Sequence, residues 1–88
     1  MTKVERLLME VQEVLLREWD PIGVAHYPEC FDEYDRYART ICRDLMEGTD
    51  AFRLTAYLSQ VQTVGMGLSQ TDEQRDRLIA QRLLALTE

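Results

Sequence analysis

Histidine, lysine and cysteine are almost missing from this sequence, which has one histidine (His26), one lysine (Lys3) and two cysteines (Cys30 and Cys42) among 88 residues. Structural zinc takes four Cys or His ligands, so three such residues in all cannot supply a closed zinc site. Cys30 and Cys42 are expected on one helix, where twelve residues span about 18 Å, too far for a disulfide. They read as reduced thiols. With a single lysine there is no polybasic patch for an anionic surface, and the nine arginines favour fixed ion pairs and planar recognition instead. No apolar run approaches the roughly 18 residues needed to span a bilayer. No glycine-rich phosphate loop, serine elbow or pair of metal-binding histidines occurs, and neither strand alternation nor an internal repeat is present.

What is present is acid. Sixteen Asp and Glu against ten Lys and Arg give a formal charge of -6, which repels a phosphate backbone over most of the surface. Neither nucleic acid nor membrane is an expected partner. The opening residues read as a polar, capped helix and not as a signal peptide, so residence in the cytoplasm is expected. Eighty-eight residues suit one small domain with one core, in which a deep substrate pocket would compete with the core for the same side chains.

The pattern predicts an all-α, compact four-helix domain with short, antiparallel-type connections and no β-sheet, its helices at about 3–18, 30–47, 51–64 and 72–86. Thr2 and Glu5 have capping-box spacing. Val4, Leu7, Leu8, Val11, Val14, Leu15 and Trp19 form the inner stripe of the first helix. Asp20 breaks it, because Pro21 disfavours the α region at the residue before it, and Asp20-Pro21-Ile22-Gly23 fits a type I turn. The second helix has Pro28 or Asp32 as candidate starts and ends at a left-handed Gly48. On it, Asp32–Arg36, Asp35–Arg39 and Arg43–Glu47 are spaced as an outer ladder of ion pairs. Asp50 caps the third helix, with Leu54, Tyr57, Leu58, Val61 and Val64 inward. Thr71 with Gln74 has the capping spacing for the fourth, where Leu78, Ile79, Leu83, Ala85 and Leu86 span a broad arc.

Four large apolar residues fall off these stripes. Met9 and Leu16 lie on the flank of the first helix, meaning either burial on two sides or a second contact surface; Phe52 is either tucked under a loop or exposed; Leu84 sits outside its arc. All four are candidate partner-facing residues.

The chemistry-bearing residues concentrate at one corner, Trp19, Asp20, Pro21, Ile22 and Gly23 followed by Asp32, Glu33, Tyr34 and Asp35. Four carboxylates so close in sequence could fold around a divalent cation, yet they lack the calcium-loop pattern, and Asp20 and Asp32 have ordinary uses as turn and cap. His26 and Cys30, four apart, could share a metal or act as a nucleophile pair if both were helical, against the plainer reading of Cys30 as a structural thiol. Arg36, Arg39 and Arg43 could clamp an anion if their helical partners left them free. Tyr34 and Tyr37 read as core residues whose phenol oxygens reach the surface or a buried carboxylate such as Asp20. No catalytic residue, metal site or cofactor is assigned.

Trp19-Asp20-Pro21-Ile22-Gly23-Val24, Asp32-Glu33-Tyr34-Asp35 with Tyr37, Gly48, Tyr57-Leu58 and Met66-Gly67-Leu68 resemble the pattern of small bacterial proteins of the YugE-like type. The resemblance spans roughly residues 4 to 68. It implies an all-helical fold and carries no catalytic residues; Ala51-Phe52-Arg53 departs from the acidic start typical of that third helix. The function expected is a cytoplasmic protein–protein interaction module, of which an immunity or antitoxin role is a concrete version. A self-associating homodimer is the alternative, and a small metal- or thiol-dependent enzyme on Asp20, His26, Cys30, Asp32 and Asp35 a third reading.

Overall fold

Three of the four helices begin where a short oxygen-bearing side chain meets free backbone amides. Thr2 Oγ1 accepts from the Glu5 amide (3.1 Å), Asp50 Oδ1 from Arg53 (2.8 Å) and Asp72 Oδ1 from Arg75 (3.0 Å). The computed structural model describes residues 2–88, which form α1 (Lys3–Val14), α2 (Asp35–Met46), α3 (Ala51–Gln60) and α4 (Glu73–Ala85), with no strand among the described residues. The expected all-α, four-helix architecture is what the chain adopts. Asp72, and not Thr71, is the cap of α4.

Two helices change winding before they end. Leu15–Trp19 continues α1, and Val61–Gly65 continues α3, as π-wound turns in which the Asp20 amide reaches the Leu15 carbonyl (2.8 Å) and the Met66 amide reaches that of Val61 (2.9 Å). The combined spans of these two, 3–19 and 51–65, lie within a residue of the expected 3–18 and 51–64, but the last turns are wider than a 3.6-residue pattern implies. At the end of α2, Thr49 donates to the Asp44 carbonyl and Gly48 to that of Leu45, with Gly48 at φ 89°. That is the Schellman pairing glycine permits there.

The largest departure is the start of α2, for which Pro28 and Asp32 are the candidates and about residue 30 the expected bound, and which lies at Asp35. Val24–His26 and Pro28–Cys30 are separate 3-10 turns, divided by an extended Tyr27 (φ -125°, ψ 94°). Pro28 forbids the α region to the residue before it, and Tyr34 is held by contacts of its own, described below. Asp32 therefore caps nothing, and α2 begins without a side-chain cap.

The helices pair as two antiparallel hairpins. Gln12 Nε2 donates to Asp35 Oδ1 (3.2 Å), tying the later part of α1 to the start of α2, while Val4 and Leu8 share a groove with Cys42 and Met46 at the other end. In the second hairpin, Ala51 and Gln81 line the same groove as Ser59 and Glu73. Val11, Leu15, Trp19, Tyr34, Ala38, Ile41, Leu45, Leu54, Leu58, Ile79 and Leu83 make one core between them. Val64 and Leu78, both assigned inward, are exposed. Val64 lies in the π turn past the packed part of α3, and the buried stripe of α4 runs through Asp76, Ile79, Ala80 and Leu83 instead. Among the described residues, no helix is long and apolar enough to cross a membrane.

The expected ladder of ion pairs on α2 is not formed. Asp35 is taken by Gln12, and Arg43 Nε lies 3.9 Å from its neighbour Asp44. Ion pairs form instead at Glu13–Arg17, Asp50–Arg53, Glu73–Arg77 and, between helices, Glu18–Arg82 (3.3 Å).

Of the four off-stripe apolar residues, Leu16 is core, only 8% exposed, because the chain folds back over the end of α1 and gives that helix a second buried side. Leu84 is half-buried against the core. Met9 (53%) and Phe52 (84%) are exposed. The two flank residues of α1 should then separate on truncation. Leu16→Ala is expected to cost about 2–4 kcal/mol in urea unfolding, from lost burial plus the cavity left behind, whereas Met9→Ala should stay within about 0.5 kcal/mol.

Candidate functional site

The corner is organised by one carboxylate. Asp20 sits in the left-handed region (φ 34°, ψ 60°), a conformation Asp tolerates better than most residues. From there Oδ1 accepts from the Val24 amide (2.8 Å) and the Tyr34 hydroxyl (2.7 Å), and Oδ2 from the Ala25 amide (3.1 Å). The Asp20 carbonyl accepts from Gly23 (3.2 Å), closing the turn expected of Asp-Pro-Ile-Gly, and the Ile22 amide donates to the Tyr34 oxygen (3.3 Å). Tyr34 is 2% exposed and its phenol reaches the Asp20 carboxylate, one of the two destinations expected for it. Two groups an irregular loop would leave free are thereby used to fix its path.

These bonds set the acidity of both partners. Burial pushes the Asp20 carboxyl up, but the Tyr34 hydroxyl and the Ala25 and Val24 amides, with a smaller pull from His26, bring it below the ordinary value of 3.8. Burial and the Asp20 hydrogen bond push the Tyr34 phenol well above the ordinary 10.0.

One residue back, Trp19 turns the other way, into the core. Its indole Nε1–H donates to Asp76 Oδ1 (2.9 Å), and Gln62 Nε2 donates to Asp76 Oδ2 (2.8 Å). Asp76 and Gln62 are wholly buried. Gln62 gives its other amide hydrogen to the Leu58 carbonyl (2.9 Å) and accepts from Arg75 Nη2 (2.9 Å). Its orientation follows from chemistry, because a guanidinium only donates and a carboxylate only accepts. Arg75 Nε, buried without a hydrogen-bond partner among the described residues, is 3.9 Å from Asp76 Oδ1, an ion pair with no direct hydrogen bond, and Gln62 bridges the two side chains by hydrogen bonds. The Trp19 and Tyr34 rings lie 5.4 Å apart at 55°, joining this core network to the corner clamp.

Trp19 and Tyr34 are thus buried and support the corner from within, and Asp20 and the half-buried Pro21 shape the turn. What the corner displays is Ile22, Gly23, Asp32 and Glu33, joined by Tyr27, Glu29 and Phe31, all exposed. Arg17 stands over the Phe31 ring (5.6 Å). Asp35 faces α1 through Gln12. No group of three or more His, Cys, Asp or Glu able to hold a metal occurs among the described residues, so Asp20, Asp32, Glu33 and Asp35 are not brought around a common point. His26 and Cys30 end separate 3-10 turns and do not share a helix. Both thiols are free; partial burial and the neighbouring Glu29, Glu33 and Asp32 push the Cys30 thiol up, away from the reactive thiolate, and burial does the same to Cys42.

Asp76, Gln62 and Arg75 escaped the sequence reading. A signal existed: Asp76 precedes Ile79, Ala80 and Leu83 at helical spacing, and Gln62 follows Leu54 and Leu58 at steps of four, so each is a polar residue at a core position. No protein-family model, characterised protein or solved structure matches this chain.

Asp76→Asn would keep the shape but set an NH2 against a donor. Loss of about 2–4 kcal/mol is expected in chemical denaturation, and Trp19, the sole tryptophan, should report altered surroundings in its emission. The corner predicts a pH dependence of both signs. Asp20, lowered on folding, contributes stability present above about pH 3.8 and lost as pH falls through its folded value. Tyr34, raised on folding, contributes stability present below about pH 10.0 and lost above it. Tyr34→Phe should weaken both limbs of a Tm-against-pH profile, the residual alkaline limb coming from Tyr57, whose phenol burial also raises.

Proposed function

We propose that this chain is a protein-binding module whose recognition surface is the acidic corner between α1 and α2. The observation that carries this is the division of labour within residues 19–35. Asp20, Tyr34 and Trp19 spend their polar groups inward to fix the backbone, while Ile22, Tyr27 and Phe31 are left exposed among Glu29, Asp32 and Glu33. A segment already held in one shape loses less conformational entropy on binding. Exposed apolar anchors near Glu29, Asp32 and Glu33 suit a basic partner, which would take the place of Arg17 over Phe31, and the net charge of -6 would speed its approach. An immunity- or antitoxin-like neutraliser of a basic protein, resident in the cytoplasm, is the concrete form; no enzyme activity, nucleic acid or membrane enters this reading. The likeness of the Trp19–Val24 and Asp32–Asp35 runs to YugE-like proteins supports the bacterial setting and no activity.

Self-association is a second reading, favoured by Phe52 at the lip of a groove of about 530 Å³ between α3 and α4, floored by Ala51, Thr55, Ala56 and Ser59. Sedimentation decides it: a monomer mass at all concentrations removes the dimer.

For the corner, native capture followed by mass spectrometry should return a basic partner that is released by raised salt, and by Ile22→Asp or Glu33→Lys with the helical circular-dichroism signal unchanged. Retention by both variants, or nothing above background from the natural host's lysate, would defeat the proposal.

A further inference from the structure

We infer that the open end of the α1–α2 seam is a second docking surface, shaped and charged for an acidic amphipathic helix of a partner protein. The inference rests on the chain being a binding module but uses a groove that none of the corner residues lines.

The groove holds about 410 Å³ and its floor is apolar, made by Val4 and Leu8 from α1 with Cys42 and Met46 from α2. Val4 (48%) and Met46 (59%) are exposed at the place where the core gives out between the two helices. A trough between antiparallel helices is filled naturally by a third helix bearing apolar residues at i and i+4, and an unbranched methionine adapts to what enters.

Charge selects the occupant. Arg39 and Arg43 form one wall, and Arg36 continues their stripe along α2 at helical spacing. Arg36 and Arg39 have no ion-pair partner among the described residues, and Arg43 has only the 3.9 Å approach to Asp44. Two guanidiniums, Arg36 and Arg39, thus stand without a carboxylate and a third, Arg43, is only loosely paired, on a chain whose net charge is -6. Each can fork onto a carboxylate. Glu47 closes the end of the groove, so the partner's carboxylates belong on the Arg36–Arg39–Arg43 side. A nucleic acid would meet three arginines and then the repulsion of the remaining surface.

The test uses the full chain, isotopically labelled, and two synthetic helical peptides sharing a Leu/Met face, one flanked by Glu and the other by Lys. The Glu-flanked peptide should bind with amide shifts at Leu8, Cys42 and Met46, about tenfold or more tighter than the Lys-flanked one. In Arg39→Glu/Arg43→Glu, exposed positions that should not disturb folding, the preference should reverse; Arg39→Gln/Arg43→Gln should abolish it. Ile22→Asp should leave peptide binding intact, so that failure of the corner and failure of the groove are told apart. Equal affinity for the two peptides, shifts confined to other faces, tighter binding of a DNA oligonucleotide, or occupation of the groove by a second copy in sedimentation would each overturn the inference.

Discussion

The hydrogen bond from the Trp19 indole to the buried Asp76 carboxylate is the constraint around which the rest of the chain is arranged. A carboxylate at zero exposure in an otherwise apolar core is tolerable only when both oxygens are met. The two donors that meet them arrive from different helices, Trp19 from the end of α1 and Gln62 from the end of α3, and both sit in π-wound turns. A π turn is a rare local widening of a helix, and here each one carries a residue that donates to the buried carboxylate. Asp76 thereby joins three helices at one point, with Arg75 3.9 Å away as its counter-charge and Gln62 hydrogen-bonded to both. Hydrogen bonds aligned this way polarise one another in a low dielectric.

That junction sets the corner. With Trp19 drawn inward, Asp20 is left at the helix end facing the next segment, and the left-handed backbone it adopts costs about 1–2 kcal/mol for a residue with a Cβ. Three accepted hydrogen bonds offset that cost. Tyr34 then closes the loop twice, through its hydroxyl to Asp20 and through its ring to Trp19. Helix end, turn and start of α2 form one unit, which explains why α2 waits until Asp35 although Pro28 offers an earlier start. It also explains Leu16, buried by the segment that this unit folds over it.

Much of this was legible in one dimension. Thr2, Asp50 and Gly48 mark their helix ends by side-chain chemistry or by glycine's left-handed freedom, and both signals are local. The stripe through Val11, Leu15 and Trp19, and the stop before Pro21, were equally plain. Asp76 was not, because an aspartate in a helix's first turn already has an electrostatic explanation, and only the third dimension shows that its face is the core face. The π turns were hidden for a related reason, since five residues are too few for a period of 4.4 to be told from 3.6. The corner's identity as a place was readable; the split between its buried supports and its exposed face was not, since Tyr34 and Tyr27 are the same residue type with opposite fates.

The surface arginines follow from the same economy of packing. Spacing alone pairs Asp35 with Arg39, an exposed helical ion pair worth about 0.2–0.5 kcal/mol. The fold gives Asp35 to Gln12 instead, a part-buried bond that fixes α1 against α2. Since water already serves an exposed guanidinium well, leaving Arg39 without a carboxylate is cheap, whereas leaving the helix seam untied is not. Asp32, held in the turn before α2, is likewise displaced from the regular helical offset to Arg36. The cross-helix tie therefore leaves acid gathered before the start of α2 and, among the described residues, Arg36 and Arg39 without a carboxylate along its length. An acidic chain thus keeps two arginines of α2 free of carboxylates as a consequence of how its first two helices are locked together.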